Sequence, residues 1–298
     1  MNNKVVLAYS GGLDTSYCVK YLTEEKGLDV YAITVNTGGF SDEQLKAIEI
    51  RAKEMGVKEF VVRDVVKDYY EQCIKYLIFG NILKNNTYPL SVSAERVFQA
   101  IAVAEYAKEI GAAYIAHGST GAGNDQVRFD MVFNIVIPEA GIITPIRDNK
   151  LSREEEIEYL KKHGVEIDAK KAAYSINQGI WGTSVGGKET LTSRYSLPED
   201  AYPTQLSNNP EESEISLEFE KGELISLNEK KYNHPTEIII ELNKLASAFA
   251  IGRDIHVGDT IIGIKGRVGF EAAAPLIIIK AHHLLEKHTL TKQQLFWK

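Results

Sequence analysis

Through the first 165 residues, apolar positions follow two alternating periods. Short apolar runs at Lys4 to Ala8, Asp29 to Val35, Glu59 to Arg63, Ala113 to Ala116 and Gly141 to Thr144 have strand length and end in turn residues. Between them apolar residues recur every three or four positions, the spacing of one helix face. Helices are predicted from Asp14 to Lys26, closed by Gly27, and through Leu45, Ile48, Ala52 and Met55 up to Gly56. Others are predicted from Val65 to about Ile78, from a Ser93 cap to Ile110 before Gly111, and from Ser152 to Gly164. Ser41 with Gln44 and Ser152 with Glu155 have capping-box spacing. This alternation predicts an α/β fold: a Rossmann-like parallel sheet of about five strands, covered on both faces.

The pattern changes after Gly164. Tyr195 to Glu214 is rich in Pro, Asn, Ser and acidic residues and reads as a long surface connection. Ile215, Leu217 and Phe219 alternate, Lys221-Gly222 turns the chain, and Ile225 and Leu227 alternate back as in a hairpin. A helix with Ile238, Leu242, Leu245 and Phe249 on one face follows, then a Gly-rich antiparallel stretch from Asp254 to Glu271 and a helix from about Pro275 to His288. The predicted division is a nucleotide-binding domain over 1–165 and a second, α+β substrate domain over 166–298. From Thr291 a further helix carries Leu295, Phe296 and Trp297 with no stop signal, so the chain is expected to be cut short at its C-terminus.

Composition narrows the function classes. The 298 residues are 44% hydrophobic and 25% charged, as in an ordinary globular protein, with a formal net charge of −7. That balance supplies no positive field for nucleic acid or an anionic membrane. Cys18 and Cys73 form no metal-ligand spacing and read as buried thiols in a reducing compartment. With no apolar run of membrane-spanning length and no signal peptide, a cytoplasmic protein is expected.

The chemistry starts at Ser10-Gly11-Gly12-Leu13-Asp14-Thr15-Ser16. A buried strand runs into a glycine turn and a helix start, the arrangement that aims free N–H groups at an anion. Asn36-Thr37-Gly38-Gly39 and His117-Gly118-Ser119-Thr120 end two further strands, so three polar loops are expected at one sheet edge, where such folds bind ligands. A competing phosphate loop, Gly182-Thr183-Ser184-Val185-Gly186-Gly187-Lys188, has Glu189 in place of the magnesium-binding hydroxyl and no buried strand before it. The opening turn lacks a lysine for β- and γ-phosphates and suits pyrophosphate as a leaving group, with attack at the α-phosphate.

Ser-Gly-Gly-Leu-Asp-Thr-Ser after an apolar strand resembles the pyrophosphate loop of the N-type ATP pyrophosphatases. Leu7 to Ser16, the run His117 to Asp130, and Tyr174-Ser175 followed by Ser184 are similar to the argininosuccinate synthase family over nearly the whole chain. That resemblance implies an ATP-dependent ligase of arginine biosynthesis and the urea cycle, which joins citrulline to aspartate through citrullyl-AMP. It implies ATP contacts from Ala8, Tyr9, Ser10, Gly11, Gly12, Leu13, Asp14, Thr15, Ser16, Val35 and Gly118, with Mg²⁺ on the phosphates and no fixed protein ligands for it. Thr120, Asn124 and Asp125 would hold aspartate. Tyr88, Ser93, Asn124, Arg128, Ser175 and Ser184 would hold citrulline. Asp14 and Asp125 would act by positioning charge. His117 is expected to support its loop, and no general base is compelled. The family also implies a homo-oligomer, a tetramer, with self-association expected to be weaker here because the C-terminal arm is missing.

Three departures stand out. The second-strand loop reads Val35-Asn36-Thr37-Gly38-Gly39-Phe40 where the family carries an acid followed by Gly-Gln. A family glutamate and tyrosine that help bind citrulline fall on Gly258 and Phe270. Losing a carboxylate beside an α-ammonium costs about 1.5–3 kcal/mol, so either Asp259 replaces it or an N-acylated citrulline is accepted. The early end is the third. Two other readings compete: a tRNA-modifying adenylating enzyme, which would want a basic surface or reactive cysteines, and a non-catalytic nucleotide-binding module, which would not need the Asn124, Asp125 and Arg128 cluster.

Overall fold

The computed structural model describes residues 2–166, 174–207 and 212–298. In chain order the first elements are β1 (Lys4–Ala8), α1 (Leu13–Lys20), β2 (Asp29–Asn36), α2 (Asp42–Glu54), β3 (Glu59–Asp64), α3 (Val66–Tyr69) and α4 (Lys75–Phe79). A π turn, Tyr21–Glu25, extends α1, and another, Tyr70–Ile74, joins α3 to α4. Next come α5 (Glu95–Glu109), β4 (Tyr114–Ala116), α6 (Asp125–Val136), β5 (Gly141–Ile143), α7 (Pro145–Asn149) and α8 (Arg153–Lys162). The rest holds β6 (Ser175–Gly179), β7 (Gly182–Gly186), β8 (Leu217–Glu220), β9 (Glu223–Leu227), β10 (Lys230–Lys231) and α9 (Pro235–Ser247). It closes with β11 (Arg253–Asp259), β12 (Lys265–Glu271), α10 (Ala273–Thr289) and α11 (Lys292–Trp297). Two compact units result: one from the described residues of 1–65, 95–173 and 259–265, the other from those of 66–94, 174–258 and 266–298.

The first unit is built on an all-parallel sheet in the order β3-β2-β1-β4-β5. Leu7 in the central strand lies beside Ala32 on one side and Ala116 on the other. Val6 joins the core against α5 and α6, with Ala104 and Phe133, while Val5 and Leu7 join the opposite core with Cys18, Leu22 and Leu160. Burial on both faces explains why these strands read as apolar runs rather than alternations. Strand order reverses between β1 and β4, so the loops after these two strands flank the switch point where such sheets bind ligands.

Both capping boxes form: Ser41 Oγ accepts from the Gln44 N–H and Ser152 Oγ from the Glu155 N–H, and each N3 side chain answers the cap's own N–H. Ser93 does not cap a helix. Leu90 takes the left-handed conformation (φ +60°), and turns occupy 91–94, so α5 starts at Glu95.

The second unit carries two antiparallel sheets, β10-β9-β8 and β11-β12-β7-β6. Residues 182–186 form the strand β7, not a phosphate loop, and Ser175–Gly179 forms β6 at that sheet's edge, half exposed and so without an apolar signature. The buried face of α9 is Ile238, Ile239, Leu242 and Ala246, whereas Leu245 and Phe249 are 41% and 40% exposed. The 3.6-residue period places 238, 242 and 246 in line, and the expected face was rotated by about one residue. Among the described residues no helix is long and apolar enough to cross a membrane.

Candidate active site

The loop after β1 has a defined internal frame. Gly11 turns the chain with φ +74°, a region unfavourable to residues with a Cβ, and Gly12 precedes the first turn of α1. Tyr9 is held by its N–H to the Ile33 carbonyl at 2.9 Å, and its own carbonyl accepts from Thr34 Oγ1 at 2.7 Å. Ser10 and Thr15 hydroxyls meet at 3.3 Å, and Thr15 Oγ1 also donates to the Gly12 carbonyl at 3.4 Å. From α2, Arg51 Nη1 donates to the Gly11 carbonyl at 2.9 Å.

Gly118, in the loop after β4, closes against this frame: a Cβ there would lie 3.4 Å from the backbone carbonyl carbon and the Cβ of Asp14. The expected nucleotide residues Ala8 to Ser16 and Gly118 are therefore neighbours, with Val35 buried near the end of the adjoining strand β2. Asp14 faces Glu156 of α8, whose side chain is 2% exposed. Burial raises both carboxyls, and the charge of Asp14 adds to the effect on Glu156, pushed up to about 8 despite Arg153. The same burial and the same two acids raise the Cys18 thiol, which makes it an unreactive core residue.

The second cluster lies at the start of α6. Arg128 Nη1 donates to Asp125 Oδ1 at 2.7 Å, and Arg96 Nε of α5 donates to Asp125 Oδ2 at 3.1 Å. Asn124 Oδ1 accepts from the Ile261 N–H at 2.6 Å. Thr120 is exposed in the preceding loop. That loop is braced from below. His117 Nδ1 accepts from the Ser119 N–H at 3.2 Å, which leaves the proton on Nε2 for Asp130 Oδ1 at 3.0 Å. Arg147 Nη1 then joins Asp130 Oδ2 at 2.5 Å to Gln126 Oε1 at 3.2 Å, and Gln126 Nε2 donates to the Gly121 carbonyl. Burial alone would raise the Asp130 carboxyl, but the hydrogen bonds from His117 and Arg147 more than offset it and hold it below its ordinary range. His117 thus supports the loop.

The second unit groups the other citrulline candidates. Ser184 pairs with Asn177 on one side and Phe270 on the other, so Ser175, two residues before Asn177, shares its sheet face. Phe270 is fully buried and its ring lies 5.2 Å from that of Tyr88, which also stacks on His256 at 4.8 Å. The Tyr88 hydroxyl accepts from the Val92 N–H at 3.3 Å, and Ser93 is half-buried in the following turn. A Cβ on Gly258 would lie 2.6 Å from His256 Nε2. Burial, with Lys84, lowers the His256 pKa and so disfavours a charged ring.

Sequence reading missed Arg51, Glu95, Arg96, Arg147 and Glu156. Each reaches its partner across the fold from a helix, so no local spacing announces it.

A parallel sheet with a glycine turn at its switch point, beside a charged cluster at the start of α6, defines the nucleotide-binding class of α/β protein. Residues 4–166 match the family described as arginosuccinate synthase N-terminal HUP domain, and residues 174–298 match arginosuccinate synthase C-terminal domain. The chain is 39% identical to argininosuccinate synthase of Dictyoglomus thermophilum over 296 residues, covering 99% of this chain and 74% of the relative. It is 37% identical to that of Methanocaldococcus jannaschii over 302 residues (100% and 75%) and 39% identical to that of Sulfolobus acidocaldarius over 295 (99% and 75%). The chain belongs to the argininosuccinate synthase family.

Proposed function

We propose that this protein condenses citrulline with aspartate to argininosuccinate, consuming ATP and releasing AMP and pyrophosphate. The ureido oxygen of citrulline attacks the α-phosphorus, the bond to the β-phosphate oxygen breaks, and citrullyl-AMP forms. The aspartate amine then adds to the ureido carbon; its C–O bond to AMP breaks and the amine gives up a proton. The observation that carries the reading is the convergence of two built sites in one unit. The Gly11–Asp14 turn is closed by Gly118, and the Asp125–Arg128 cluster lies at the start of α6.

In this reading Ala8 to Ser16, Val35 and Gly118 hold ATP. Asp125, Asn124 and Thr120 take aspartate, with the Asp125 carboxylate receiving its ammonium. Arg128 offers a fork to a citrulline carboxylate, helped by Asn124, Tyr88, Ser93, Ser175 and Ser184. Catalysis is mostly alignment and charge neutralisation, in which Asp14 and Asp125 position charge. Mg²⁺ would supply further neutralisation of phosphate charge. In this reading residues 1–165 carry the nucleotide part and residues 166–298 the substrate part of a cytoplasmic homo-oligomer.

One observation favours an N-acylated citrulline as the substrate form. Gly258 and Phe270 offer no charged or hydroxyl group, and Asp259, the neighbouring carboxylate, is paired with Lys265 at 2.7 Å. The main test is pyrophosphate release from ATP in the presence of citrulline or its N-acyl forms, followed by product formation with aspartate. Release that ignores every citrulline form, or that requires tRNA, overturns the reading.

A further inference from the structure

Glu95, the first residue of α5, is fully buried. Its carboxyl meets two polar groups, one from another segment and one from its own helix, and a third acts on it by charge. Thr37 Oγ1, in the loop after β2, donates to Oε2 at 3.3 Å. Arg96 Nη1, from the next residue of its own helix, lies 3.7 Å from Oε1, which receives no hydrogen bond. Asp125, at the start of α6, is close enough for its charge to act on Glu95. Arg96 in turn binds Asp125, and Asp125 binds Arg128.

We propose that Glu95 is a positioning residue for the aspartate site, tying the Thr37 loop to Arg96 and, through Arg96, setting the orientation and charge of Asp125. The proposal rests on the function given above. Two arginines against Asp125 leave one positive charge in excess when Glu95 carries its proton, and none when it is ionised. Burial holds that proton up to about 7, against the pull of Arg96 and Thr37, so the excess disappears within the neutral range. Aspartate, a net anion, is held more tightly by the protonated state. An ionised Glu95 also competes with Asp125 for Arg96.

The test is the pH dependence of KM for aspartate, measured in the wild-type protein and in Glu95→Gln between pH 6 and 8. In the wild type KM rises about fivefold across this range, the low end for coupling between neighbouring sites. In Glu95→Gln, which keeps the shape and cannot ionise, that rise is absent. Glu95→Ala raises KM for aspartate about tenfold and leaves KM for ATP within about twofold, a split that general loss of structure would not produce. Should either variant fail to fold, Thr37→Val removes one hydrogen bond at constant volume and shifts the midpoint of the same profile upward. Parallel profiles in wild type and Glu95→Gln, or equal rises in both KM values for Glu95→Ala, overturn the inference. Absence of citrulline- and aspartate-dependent turnover in the wild type would instead sink the proposed function, so the two failures are separable.

Discussion

Arg128 Nη1 and Asp125 Oδ1 are hydrogen-bonded at 2.7 Å across the first turn of α6. The two charges proposed to meet different substrates therefore neutralise each other in the free protein. In the proposed reading an ammonium at Asp125 and a carboxylate at Arg128 compete with this contact, so each substrate lowers the cost of binding the other.

Asp125→Asn removes the charge and keeps the shape. A charged hydrogen bond contributes about 1.5–3 kcal/mol, so KM for aspartate should rise roughly 10- to 100-fold while citrulline-dependent pyrophosphate release persists. Steady-state kinetics with each substrate varied separately reads this split. Equal loss in both would show that Asp125 acts on the loop rather than on aspartate.

Gly11 occupies φ +74°, and a Cβ would approach Ile48 Cγ1 at 3.2 Å. Gly11→Ala pays about 1–2 kcal/mol for the left-handed backbone and pushes α2, whose Arg51 braces the same carbonyl. KM for ATP should rise about tenfold with KM for aspartate little changed. An unchanged ATP response would remove the loop from the nucleotide site.

Glu156 makes stability depend on pH. In the unfolded chain it ionises near 4.5, while in the fold burial and Asp14 hold its proton up to about 8. Between these values the folded state binds more protons than the unfolded one, so its stability contribution is present below 4.5 and is lost as pH rises to 8. Glu156→Gln should thus stabilise the protein at pH 8.5 by on the order of 2 kcal/mol, roughly 4–8 °C in Tm, and change little at pH 4.5. Thermal scans at the two pH values check this. An equal shift at both would assign the effect to packing.

The aromatic wall of Tyr88, His256 and Phe270 carries no carboxylate for an α-ammonium. kcat/KM should be higher for N-acetyl- or N-succinyl-citrulline than for free citrulline, by about tenfold or more if an unpaired ammonium is the penalty. Preference for free citrulline would remove the acylated substrate from the reading.

Much of this protein is local and so was legible from its residues. The central strands β1 and β2 show as apolar runs because both faces of the sheet are covered there, whereas the edge strand β3 is largely exposed. Gly11-Gly12 followed by Asp14 marks a strand-turn-helix corner because the turn and the helix start lie within a few residues. Ser41-Gln44 and Ser152-Glu155 cap their helices for the same reason. Where local signals competed they misled: Ser93 looked like a cap, but turns at 91–94 delay the helix, and the polar edge strand Ser175–Gly179 has no apolar pattern to announce it.

Tertiary structure alone decided which distant groups meet. Helix packing sets Glu156 against Asp14 and Arg51 against Gly11, and strand register sets Ser184 beside Phe270. Glu95, Arg96 and Asp125 come together because α5 and α6 start on the same side of one sheet. Backbone propensity and capping act over three or four residues, so they write the elements and the opening loop into the sequence. Charge coupling and burial act through space, so the state of each site carboxyl exists only once the chain has folded.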